Sequence, residues 1–146
     1  MKILLIILLA ALISCTHARY ENFLEIKSLN SSSTRADIEQ FLLNQYKDID
    51  HEQLWLVALK NGHYIASKMV TEGGTRDIHY DLFQVYVFAK STQADEIWET
   101  HNHVGFYFAY PSETDLKQAQ ASNDFGRKHG YTSRLVIISE HDIFIK

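Results

Sequence analysis

Past residue 33 the apolar positions fall into helical and strand-like groupings, and the changes between them divide the chain into elements. From Thr34 onward Ile38, Phe41, Leu42 and Tyr46 recur at helical spacing, with Ser33 or Thr34 placed to cap the start. Residues 53–59 are crowded with apolar and aromatic side chains, and Asn61-Gly62 separates them from a similar run over 64–70. An Asn-Gly pair between two such runs is the strongest short signal of a β-hairpin, here ended by Gly73-Gly74. Residues 80–94 predict a helix, although Val85-Tyr86-Val87-Phe88 would also suit a strand. Residues 96–103 read as a third strand, and residues 113–128 as a polar helix with Gly130 as its C-cap. Residues 133–139 and 142–146 close the chain as a pair of strands around Glu140-His141. Helix, hairpin, helix, strand, helix, hairpin predicts an α+β domain, three-layered in the αβα manner around one mixed sheet. Trp55 and Trp98 are expected to pack in that sheet.

The opening of the chain departs from this pattern. Met1 and Lys2 form a short positive start, residues 3–12 are an unbroken apolar run, and Ser14 stands before Cys15. A run this short does not span a bilayer as a helix and reads as a secretory signal. Leu12-Ile13-Ser14-Cys15 resembles the lipobox of bacterial lipoproteins. The resemblance implies cleavage after residue 14 and lipidation of Cys15 on its thiol and its new amino group. Residues 15–33 would then tether the lipid to a domain over 34–146. Lipid at two positions supplies the multiple signals that stable anchoring requires. Cys15 is the one cysteine, so no intrachain disulfide can form, and lipidation accounts for an otherwise unpaired thiol in an oxidising compartment. Thr16, where an aspartate would favour inner-membrane retention, points to the outer membrane, facing the periplasm.

Without residues 1–14 the chain has about 130 residues, which suits one domain with a single core. The net charge of −4 and the lack of a basic stripe remove the main electrostatic term for binding nucleic acid, so none is expected as a partner.

The chemistry is concentrated in residues 101–115, HNHVGFYFAYPSETD. In an extended strand His101 and His103 emerge on one side, about 6–7 Å apart along the backbone, where two imidazoles can share a metal ion. Asp115, in the first turn of the following helix, can fold back as a third ligand. Two histidines and one carboxylate leave a fourth position of zinc open for water, the arrangement of a catalytic site. Ser112-Glu113-Thr114-Asp115 also fits a helix capping box, and capping does not exclude ligation. Asn102 points away from the histidines by strand alternation and reads as structural. His63, His79, His129 and His141 are expected in surface or capping roles. The loop Phe106-Tyr107-Phe108-Ala109-Tyr110 either packs over the sheet or offers a substrate-binding surface.

From Glu52 to the C-terminus the order of elements and these motifs resemble the JAMM/MPN+ zinc-peptidase family, in its bacterial RadC-like branch. That family has a glutamate at a strand start, a hairpin ending in Gly-Thr, a helix, and a strand leading to His-x-His-x7-Ser-x2-Asp. Here Glu52 begins the strand over 52–59, Gly74-Thr75 closes the hairpin, and residues 81–90 lie where the family has its helix. His101-Asn102-His103 and Pro111-Ser112 with Asp115 match the motif, and residues 137–144 resemble the closing hairpin. Eight residues rather than seven separate His103 from Ser112, and Val104 replaces a proline. Loop insertions cost little, so metal binding should survive while loop shape and substrate choice change.

The resemblance implies a JAB/MPN architecture, similar to that of cytidine deaminases, and one zinc per chain held by His101, His103 and Asp115. It implies that Glu52 takes a proton from water and delivers it to the leaving amine, and that Ser112 hydrogen-bonds the oxyanion. The substrate would be a peptide or an isopeptide-linked protein. Read by itself, Glu52 is a solvated acid in the patch Asp48, Asp50, Glu52. A second functional reading is a non-catalytic lipoprotein that binds a partner or keeps zinc structurally. Intact Glu52 and Ser112 oppose it, because zinc retention needs neither. A DNA-repair role is opposed by the export signal and the acidic balance.

Overall fold

The computed structural model describes residues 29–46, 49–72 and 80–146; Cys15, Asp48, Gly74-Thr75 and His79 lie outside them. Among the described residues the hydropathy groupings become three helices and five strands. Helix α1 (Arg35–Tyr46) starts at Thr34, the second of the two candidate caps. Thr34 N–H donates to Asp37 Oδ2 at 2.7 Å and Asp37 N–H donates to Thr34 Oγ1 at 3.4 Å, a reciprocal box that occupies two otherwise orphaned donors. Strands β1 (Gln53–Lys60) and β2 (His63–Glu72) meet through Asn61 and Gly62, whose φ angles of 53° and 79° are those a tight hairpin turn demands.

Helix α2 (Leu82–Thr92) begins at Asp81, which accepts from Phe83 N–H, and stops at Gln93 in the left-handed region. Val85, Phe88 and Ala89 are its buried residues, a spacing of three and four that makes the apolar run one face of a helix and rules out the strand. Strand β3 (Glu96–Asn102), helix α3 (Glu113–His129), β4 (Thr132–Ile138) and β5 (Ile143–Ile145) complete the chain. β3 ends one residue before His103, but His103 N–H still donates to Ile138 O at 2.8 Å.

The sheet order is β2-β1-β3-β4-β5. The pair β3–β4, joined through α3, is parallel, and the other neighbours are antiparallel. On one face Ile38, Leu42 and Tyr46 of α1 pack with Trp55, Val57, Leu59, Trp98, Val136 and Ile138. On the other, Val85, Phe88 and Ala89 of α2 pack with Leu56, Ala58 and Ile97, and Ala119 of α3 with Leu135 and Ile137. The fold is therefore α+β, with a mixed sheet covered by helices on both sides. Both tryptophans lie in the core as expected, their indoles bonded to Gln53 and Glu96. Residues 29–33, the end of the segment read above as a tether, lie against the domain. Tyr64 N–H donates to Ser33 O at 3.0 Å, and Leu29 packs on the α1-side core.

β3 is buried along its whole length although five of its seven residues are polar. Each polar group must therefore find a partner. Glu96 accepts from Trp98 Nε1 at 2.7 Å, from Arg134 Nε at 2.8 Å, and from Arg35. Burial opposes its charge, but these bonds and the two guanidinium charges hold its carboxyl below the usual range. Glu99 accepts from Ser122 of α3 and Ser133 of β4. There burial prevails over both hydroxyl bonds and pushes the carboxyl up to about 7. Thr100 Oγ1 donates to Trp55 O at 3.2 Å.

α3 turns closely into β4 because of Gly126, whose carbonyl accepts Tyr131 N–H at 3.1 Å. A Cβ there would stand 2.8 Å from Tyr131 O and 3.0 Å from its ring. Alanine would gain about 1 kcal/mol of helix propensity but meet a clash worth about 1–3 kcal/mol. Gly126→Ala is expected to lower the urea midpoint, and a midpoint at or above the wild-type value would show that Tyr131 moves aside freely.

Candidate metal centre

The chain leaves the sheet at the C-terminal end of β3 and re-enters structure at the N-terminus of α3, so both ends of the intervening loop return to one edge. The pleat sets His101 and His103 on the α3 side, with ring centroids 5.1 Å apart and their Nε2 atoms 3.2 Å apart. Asp115 meets them from the first turn of α3. Its Oδ1 lies 3.2 Å from His101 Nε2 and its Oδ2 lies 3.5 Å from His103 Nε2. Each residue offers one ligand atom within 4.8 Å of the others, and the three can hold a metal ion. No other such group of His, Cys, Asp or Glu occurs among the described residues.

Asp115 is at the same time a helix cap. Ser112 N–H donates to Asp115 Oδ2 at 2.7 Å, and Asp115 N–H donates to Ser112 Oγ at 3.1 Å. The capping reading of residues 112–115 holds and leaves ligation open: the box fixes the carboxylate where it faces the imidazoles. Burial disfavours its charge, but bonds with His101, His103 and Ser112, together with the charge of His101, hold its carboxyl well below the usual range. The positive end of α3 favours the same ionised form.

Glu52 is 7% exposed, so it is not a solvated acid. Leu54 pairs with His101 in the antiparallel β1–β3 ladder. Glu52 precedes Leu54 by two residues and so lies just beyond the last pair of that ladder. Asn102 lies on the side of the pleat away from the histidines, 3% exposed, and is structural as expected. Its Oδ1 accepts from Gln53 N–H at 2.7 Å and its Nδ2 donates to His51 O at 2.9 Å. These partners were not legible from the sequence, although a buried asparagine in a strand must find some.

The aromatic loop does not pack over the sheet. Phe106, Tyr107, Phe108 and Tyr110 are 51–73% exposed, and only Ala109 is buried. Phe106 lies 5.8 Å from the His103 ring, and Ser139 Oγ donates to Tyr107 O at 3.0 Å. On the α1 side of His103 a cleft of about 310 Å³ is lined by Tyr46, Ile49, Asn102 and Ile138 among others. Of the remaining histidines, His63 and His141 are exposed, whereas His129 packs against Phe125 and Tyr86 with centroids 4.3 and 4.8 Å away. Compared with known proteins, the chain matches no protein-family model and no curated protein.

Proposed function

We propose that the chain is a zinc-dependent metallopeptidase or isopeptidase of the JAMM/MPN+ kind, RadC-like in its motif and held on a bacterial membrane by lipid on Cys15. The observation that carries this reading is the convergence of two imidazoles and one carboxylate on one point. Zinc bonds of about 2.0–2.2 Å in a tetrahedral arrangement set neighbouring ligands about 3.3–3.6 Å apart. The Nε2 atoms of His101 and His103 stand 3.2 Å apart, and Asp115 turns one carboxylate oxygen to each ring, Oδ1 at 3.2 Å from His101 and Oδ2 at 3.5 Å from His103, close to that spacing. Two imidazoles and one carboxylate suit zinc and leave a coordination position for water or substrate. The helix-covered mixed sheet, with the site at the end of β3, supports the JAB/MPN architecture.

When bound, zinc supplies Lewis acidity, polarising a substrate carbonyl and acidifying water. Glu52 accepts a proton from the attacking water and returns it to the leaving nitrogen, a role that asks for a carboxylate facing the histidines. Ser112 can cap and donate together. One lone pair of Oγ accepts Asp115 N–H, and its own O–H is left to donate to the carbonyl oxygen as negative charge develops.

Zinc-loaded protein lacking residues 1–15 should cleave members of a library of peptides and isopeptide-linked chains. Cleavage should stop with a chelator and return with zinc. If zinc-loaded wild type cleaves none, the partner-binding reading replaces this one.

Among the described residues no helix is long and apolar enough to cross a membrane. Attachment rests on the lipobox, with the domain outside the cytoplasm, on the outer membrane facing the periplasm. Labelled palmitate should enter the protein in bacteria, and Cys15→Ser should abolish incorporation. Label that persists in Cys15→Ser would overturn the lipoprotein assignment.

A further inference from the structure

We propose that Asn102 is a positioning residue for Glu52, holding the backbone on both sides of it; the inference rests on the reading of Glu52 as proton carrier. The backbone pairing of β1 with β3 begins at Leu54, so Glu52 lies just beyond the ladder. There the Asn102 side chain takes the place of backbone pairing between the two strands. Its carbonyl oxygen takes Gln53 N–H at 2.7 Å and its amide N–H reaches His51 O at 2.9 Å, so one primary amide brackets the single residue between them. A primary amide has an acceptor and a donor side by side, as a peptide group does, and this pair of backbone groups needs both. Aspartate would keep the acceptor and lose the donor; alanine would lose both. Asn102 is 3% exposed, so water does not readily take its place.

The position of Asn102 gives the clamp its purpose. It stands between His101 and His103, and the pleat sends it to the opposite face. The same three residues therefore present two metal ligands on one side and, on the other, the amide that fixes the segment carrying the base. A base displaced by about 1 Å can cost about 10²-fold in rate.

Amide exchange, zinc content and kinetics of Asn102→Ala in the otherwise intact protein test this. Gln53 N–H should lose its protection while Leu56 and His103 N–H keep theirs, and zinc should stay at one per chain. With the substrate found for wild type, kcat should fall about 10²-fold with KM little changed. In a Glu52→Gln background the same substitution should slow the reaction no further, because a positioning residue acts only through the group it positions. Asn102→Asp, which keeps the bond to Gln53, should fall between wild type and Asn102→Ala, and it decides alone if Asn102→Ala does not fold. A wild-type kcat in the variant that folds, persistent protection of Gln53 N–H in Asn102→Ala, or a full extra loss on top of Glu52→Gln would overturn the inference. If zinc-loaded wild type cleaves nothing, the role in catalysis falls with the function itself, and loss of Gln53 protection would then mark a clamp of the fold alone.

Discussion

Glu52→Gln is expected to keep the zinc and the fold while slowing hydrolysis about 10²–10⁴-fold, the usual contribution of a positioned acid–base group. Glutamine has nearly the size of glutamate and still forms hydrogen bonds, but it cannot take a proton from water. The backbone on either side is held by Asn102, so the local structure has no reason to change. The measurement is kcat on a substrate the wild type cleaves, with zinc content determined on the same sample. A full rate in Glu52→Gln would hand the proton transfer to another acid. Unchanged zinc is as important as lost rate, because it separates a base from a ligand.

The second large effect concerns the metal. Wild type should bind about one zinc per chain, and His103→Ala should bind it more than about 10²-fold more weakly, since even groups that only orient a ligand are worth about 10–100-fold. Acidification should release the metal, because imidazole ligates only when neutral. Asp115→Asn divides the two roles of that residue. Its amide oxygen can still accept Ser112 N–H, so α3 should start as before while zinc affinity falls. Equilibrium dialysis against a zinc indicator reads all of these. Unchanged zinc content in a His101→Ala/His103→Ala protein would move the metal elsewhere in the chain.

Local chemistry made some elements legible and long-range chemistry concealed others. Asn61-Gly62 announces its hairpin because both residues take positive φ, and Ser112 with Asp115 announces α3 because its cap lies within four residues. Residues 85–88 were ambiguous because a short apolar run suits either period. Burial of Val85, Phe88 and Ala89 against the sheet decides for the helix. β3 carries five polar residues among its seven, yet it is buried throughout. Hydropathy treats Glu96 and Glu99 as if in water, whereas Arg35, Arg134, Ser122 and Ser133 reach them from other segments. The grouping of His101, His103 and Asp115 was legible because a period of two and a first helical turn suffice to assemble it. The role of Asn102 was not, since its partners are backbone groups 49 and 51 residues away.

The alternation along β3 also sets where the length of this chain is free to change. Ile97, Glu99, His101 and His103 form one row, and Trp98, Thr100 and Asn102 the other. One residue added or removed inside the strand would exchange the rows, turning the histidines toward Tyr46 and the Asn102 amide toward α3. Between His103 and Ser112 the same insertion would meet only a loop with a single buried anchor, Ala109, while the box at the head of α3 returns Asp115 to its place. A deletion scan should find residues 96–102 intolerant and residues 104–108 permissive, with the boundary at His103.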